Sequence, residues 1–67
     1  MNRIKEVLDL SGTKQKWLAE KLGKSYNMVN SYVRNKRQPS IETLYEIAEI
    51  LNVSVKDLLI ENKEQES

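Results

Sequence analysis

Two stretches with apolar residues at helical spacing, the first ending at Leu22 and the second starting at Tyr26, are separated only by Gly23, Lys24 and Ser25. This constrains the fold more than any other feature. Helices joined by so short a turn do not lie back antiparallel, so the two must cross steeply. A steep crossing needs a small residue where the backbones touch, and Ala19 is placed for it. It also needs a tight turn, which Gly23 supplies through its freedom to take positive φ. Leu18, Leu22, Val29 and Tyr32 then fill the angle between the helices. Tyr26, Asn27, Asn30 and Ser31 are left on the outward face of the second helix.

The rest of the chain continues the helical pattern, with no sustained two-residue alternation and no hairpin signal. A first helix is expected from about Asn2 to Leu10, with Ile4, Val7 and Leu8 inward and Gly12 ending it. The second runs from about Lys14 to Leu22, capped by Thr13, with Trp17 over one edge. The third runs from about Tyr26 to Arg34, capped by Ser25 and terminated by Asn35, which tolerates the left-handed conformation. Pro39 forbids a helix across the basic loop Lys36-Arg37-Gln38. Ser40 caps a fourth helix from about Ile41 to Leu51, with Ile41, Leu44, Ile47, Ala48 and Leu51 inward. A short fifth helix follows Ser54, with Asp57 as its capping-box partner and Val55, Leu58 and Leu59 as its apolar residues. The spacing of Trp17, Tyr32 and Tyr45 assigns them to packing. The reading is an all-α domain over residues 1–60 and a polar, flexible tail over residues 61–67.

At 67 residues the chain supports one small domain with a thin core and no room for a large catalytic cavity. It has no cysteine and no histidine, so disulfides, thiolate or imidazole metal sites and the usual proton shuttle are excluded. Carboxylates and lysines are present, but no nucleophile–base pair or metal cluster is spelled out, and an enzyme is not expected. No signal peptide and no apolar run of membrane-spanning length is visible. A soluble, cytoplasmic protein with no cofactor and no small-molecule ligand is expected.

The net charge of +1 conceals an asymmetry. Residues 1–39 carry nine basic side chains against three acidic ones, whereas residues 40–67 carry two basic against seven acidic. That distribution suits one face turned toward a polyanion and another turned away. The acidic Glu42, Glu46 and Glu49 on the fourth helix read as a solvated face away from that partner.

The outward residues fit the same partner. A helix standing proud of a steep two-helix corner has the shape to enter the major groove of B-DNA. Asn offers a donor and an acceptor together, matching the N6 and N7 edge of adenine, and Ser bonds to either kind of group. Tyr26 suits a thymine methyl or a phosphate. Lys36 and Arg37, beside that helix, are placed for phosphates.

These residues carry a resemblance to a known family. The run Gln15-Lys16-Trp17-Leu18-Ala19-Glu20-Lys21-Leu22-Gly23, followed by Ser25, Val29, Tyr32 and Lys36-Arg37-Gln38-Pro39-Ser40, resembles the Cro/C1-type (XRE) helix-turn-helix family of phage repressors and bacterial regulators. Leu44, Ile47-Ala48, Leu51, Val53-Ser54 and Leu58-Leu59 continue the match, which extends from about Ile4 to Ile60. The resemblance implies a compact five-helix, lambda-repressor-like domain that binds operator DNA, often as a homodimer, in a bacterial or phage cytoplasm. It implies base reading by Tyr26, Asn27 and Ser31, to which Asn30 is added by its place on the same outward face. Backbone contacts are implied for Gln15, Ser25, Asn30, Lys36 and Arg37, to which Lys16, Lys24 and Arg34 are added by position. Three positions depart from the family pattern. Lys24 replaces an apolar turn residue, Val33 stands where Glu is frequent, and Asn35 stands where Gly is frequent.

The expected function is sequence-specific binding of double-stranded DNA by a repressor-like regulator. The alternative is a protein-interaction or antitoxin-like module that uses the same fold for a partner. Such a module has no need of basic residues around one exposed helix. A lone domain hides little surface on DNA, so a homodimer is expected, with Val55, Leu59 and Ile60 as candidate interface residues.

Overall fold

The computed structural model describes residues 1–59. Four α-helices, α1 (Ile4–Ser11), α2 (Gln15–Leu22), α3 (Tyr26–Val33) and α4 (Ile41–Leu51), are followed by a single 3-10 turn, Val55–Leu58. The fifth helix of the sequence reading is therefore this short turn. Its capping box is present as expected, with the Ser54 N–H donating to Asp57 Oδ2 at 3.1 Å.

Local signals fix most of the boundaries. Gly12 and Gly23 end α1 and α2 in the left-handed conformation, at φ 69° and 71°. Asn35 and Asn52 take the same conformation after α3 and α4. The Ser25 and Ser40 hydroxyls accept from the N–H groups of Met28 and Thr43, each satisfying one of the donors a helix start leaves open. The N-cap of α2 is Lys14 rather than Thr13. Thr13 instead shares a hydrogen bond with the Ser11 hydroxyl at 2.8 Å.

The larger correction concerns Asn2. It is extended rather than helical and forms an antiparallel bridge with Leu59, supported by the Arg3 N–H donating to the Leu58 carbonyl at 2.8 Å. Leu58 is itself fully buried. The segment before α1 is thus held against the segment after the 3-10 turn.

The core unites Ile4 and Leu8 of α1, Leu18 and Ala19 of α2, Val29, Tyr32 and Val33 of α3, Leu44, Ile47 and Ala48 of α4, and Leu58. α2 lies against both α3 and α4, while α1 lies against α3 and the 3-10 turn. Burial of Leu18, Ala19, Val29 and Tyr32 agrees with the expected filling of the corner between α2 and α3. Ile41 and Tyr45 do not agree. Both are 61% exposed, because Thr43 and Leu44 occupy the core side of the first turn of α4. Trp17 is also largely exposed, with the Lys21 ammonium 5.5 Å from its ring centre. Among the described residues, no helix is long and apolar enough to cross a membrane.

Candidate nucleic-acid interface

α3 presents its first two residues to solvent. Tyr26 is 51% exposed and Asn27 is exposed beside it. Asn30 and Ser31 are only half-buried rather than fully outward, since they sit on the flank of α3 that faces its neighbours. The Asn30 Nδ2 donates to Gln15 Oε1 at 2.8 Å, joining the first residue of α2 to the middle of α3. This bond uses one of the two Asn30 Nδ2 hydrogens and leaves the other together with Oδ1, while Gln15 retains its Nε2 donors. The Ser31 hydroxyl donates back to the Met28 carbonyl at 2.6 Å, so it faces any ligand as an acceptor. Asn27, exposed on the first turn of α3, is the less constrained of the two asparagines.

Cationic groups stand at both ends of this helix. At its start lies a cleft of about 460 Å³, lined by Lys5, Lys14, Gln15, Lys16 and Tyr26 among others. Lys14 and Lys16 enter it from the beginning of α2. Lys5 is engaged with Asp9 at 3.0 Å, and Arg3 with Glu6 at 3.0 Å, so the two cations of α1 and its N-cap are neutralised locally. Both pairs are exposed and hold little stability of their own.

At the other end, Arg34 follows α3 as its C-cap, a position where a cation also opposes the negative end of the helix dipole. Lys36 and Arg37 follow as an exposed pair. Their backbone N–H groups converge on the Ser31 carbonyl at 2.9 and 3.2 Å, folding the loop under α3. The Arg37 Nη1 lies 3.6 Å from the Met28 sulfur, which holds the guanidinium alongside the same helix. Lys24 is half-buried in the turn. Ser25 uses its oxygen as the cap acceptor and keeps its hydroxyl proton for an external acceptor.

The structure therefore gathers Gln15, Lys16 and Tyr26 around one cleft, ties Asn30 to Gln15, and folds the Lys36–Arg37 loop back on α3. The dimer candidates are less uniform. Leu59 is 42% exposed, whereas Val55 is half-buried against the core, and Ile60 lies outside the described residues. The sequence reading missed the role of Asn2, which reaches the loop after α3 through Asn35. An Asn just before an apolar stripe is a capping signal, but a partner 33 residues away leaves no local trace.

Comparison with known proteins agrees with this arrangement. A helix-turn-helix family model matches residues 4–58. The HTH-type transcriptional regulator ImmR of Bacillus subtilis is 39% identical over 57 residues, covering 85% of this chain and 45% of the regulator. The chain thus spans less than half the length of the curated relative it matches. A solved Bacteroides fragilis protein assigned as DNA-binding is 45% identical, with a TM-score of 0.85 over 87% of this chain and 94% of that one. The N-terminal DNA-binding domain of SinR from Bacillus subtilis is 38% identical, with a TM-score of 0.74 over 90% and 88% of the two chains. The motif spacing, the capped α2–α3 corner and the match over residues 4–58 together show that the chain belongs to the Cro/C1-type helix-turn-helix family.

Proposed function

We propose that the chain binds double-stranded DNA sequence-specifically and serves a transcription regulator, with α3 seated in the major groove. The observation that carries this reading is the exposed Tyr26–Asn27 surface flanked by Lys14 and Lys16 at one end and Lys36 and Arg37 at the other. A groove-width helix with neutral hydrogen-bonding groups in the centre and cations at its margins matches base edges flanked by two phosphate backbones.

In this reading Tyr26 and Asn27 reach base edges directly, with Asn30 and Ser31 contributing acceptors from the flank. Gln15, Lys16, Lys24, Ser25, Arg34, Lys36 and Arg37 meet the sugar–phosphate backbone. The domain covers residues 1–60 and the polar tail lies outside it. Two copies bind half-sites about one helical turn apart, with Val55, Leu59 and Ile60 as the candidate interface residues. The site of action is the cytoplasm of a bacterium or of a phage-infected one, where operator DNA is accessible. The reading involves neither catalysis nor a cofactor.

The test is selection of bound sequences from random duplex DNA, with affinity followed against salt. The reading expects an enriched palindrome and an affinity that falls steeply as salt rises. Salt-sensitive binding without enrichment would remove the sequence-specific part. Absence of binding even at low salt would overturn the reading in favour of a protein-interaction module.

A further inference from the structure

A ring of polar groups ties the N-terminal segment to the loop that follows α3. Asn2 is only 4% exposed. Its backbone N–H donates to Asn35 Oδ1 at 2.8 Å, and its carbonyl accepts from Asn35 Nδ2 at 3.2 Å. The Asn35 carboxamide thus pairs with Asn2 as the peptide group of a neighbouring strand would. The Asn2 side chain donates from Nδ2 to the Tyr32 carbonyl and to Gln38 Oε1, each at 3.0 Å, and accepts from the Ile4 N–H at 3.0 Å. Gln38 Nε2 closes the ring by donating to Asn35 Oδ1 at 3.1 Å.

Only Lys36 and Arg37 lie between the two loop residues of this ring. Asn35 holds a left-handed backbone at φ 59°, a conformation that glycine adopts more easily. Glycine would satisfy the turn and make neither side-chain bond to Asn2. The segment that anchors the ring is itself anchored, since Arg3 donates to Leu58 and Asn2 is bridged to Leu59. Both ends of the Lys36–Arg37 segment are therefore fastened to the body of the domain, while the two side chains stay exposed.

We propose that Asn2 and Asn35 are positioning residues for DNA binding: they hold the Lys36–Arg37 loop in its phosphate-contacting shape before DNA arrives. The proposal rests on the reading of that loop as a phosphate clamp. A loop ordered in advance loses less conformational freedom on binding, so more of its phosphate attraction survives as affinity.

Phosphate contacts are independent of sequence, so a mixed-sequence duplex at low salt serves as the probe. The deciding variant is Asn35→Gly, measured where circular dichroism shows it folded. Asn2→Ala also strips the Ile4 N–H of its acceptor and puts the fold at risk, which makes it the secondary variant. Asn35→Gly is expected to weaken binding about three- to tenfold with the salt slope unchanged, since the same phosphates are met once the loop is ordered. In a Lys36→Ala/Arg37→Ala background the same change is expected to alter neither quantity. A purely structural role would weaken binding equally in both backgrounds. Equal effects, or no effect in the wild-type background, would overturn the proposal and leave the phosphate-clamp reading intact. If Arg37→Ala alone leaves affinity and salt slope unchanged, the clamp reading fails and the proposal falls with it.

Discussion

Asn27 projects into solvent from the first turn of α3, whereas Asn30, on the flank, gives its Nδ2 to Gln15. The two side chains have the same chemistry and unequal freedom. Asn27, exposed and unbraced by Gln15, presents donor and acceptor together to an adenine edge with the greater freedom. Asn27→Ala should therefore relax specificity at a single base pair, at a cost of about 1–3 kcal/mol for the preferred base. Repeating the selection with the variant checks this, and unchanged preference at every position would remove Asn27 from the base-reading set. The sequence placed both asparagines on α3, but it could not show that one is braced. The brace joins residues 15 positions apart, beyond the reach of helical periodicity. Gly23 poses a simpler case. An added Cβ there would meet nothing within 4 Å, so the penalty comes from φ 71° alone. Gly23→Ala should destabilise the domain by about 1–2 kcal/mol, read as a lower denaturation midpoint.

At the scale of elements, the boundaries that were legible are those written in one or two adjacent residues. Gly12, Gly23, Ser25, Asn35 and Ser40 each act through their own backbone or the next turn, and the structure uses each of them in that way. The start of α1 was not legible because Asn2 is governed by Asn35 and Leu59, both distant in sequence. Ile41 and Tyr45 were misassigned for a different reason. They sit one turn apart on α4 beside the true core stripe, and periodicity alone does not say where the covered sector ends. Ser40 offers a test of an element in isolation. Its oxygen accepts from the Thr43 N–H at 3.1 Å and its hydroxyl donates to Thr43 Oγ1 at 3.0 Å. Ser40→Ala should cost about 1 kcal/mol, while Ser40→Asp, which keeps an acceptor, should cost less. Thermal denaturation of the two variants decides, and equal losses would mean that the cap contributes nothing particular.

For the molecule as a whole, eleven buried apolar residues among the described ones, with partly buried neighbours packed against them, have to hold four helices together. A domain of this size has a total stability of about 3–10 kcal/mol. Ile47 is fully buried in α4, and Ile47→Ala should cost about 2–5 kcal/mol. That is a large share of the total, so the variant should be partly unfolded at the growth temperature of a mesophile and should recover with added osmolyte. Circular dichroism with and without osmolyte measures both effects. A variant as stable as the parent would mean that the core tolerates a cavity there.

The Asn2–Leu59 bridge places the second residue of the domain beside the last described one. Paired backbones are only about 5 Å apart, so a short linker from residue 59 back to residue 2 would close residues 2–59 into a circle with the four helices in place. Cutting that circle at the exposed Gly12, between α1 and α2, gives a circular permutant in which α1 follows the 3-10 turn. The cut lies away from α3 and from the Lys36–Arg37 loop, so the permutant should fold, with somewhat lower stability, and bind the same DNA. The order in which the helices are synthesised would then be separable from the way they grip the groove.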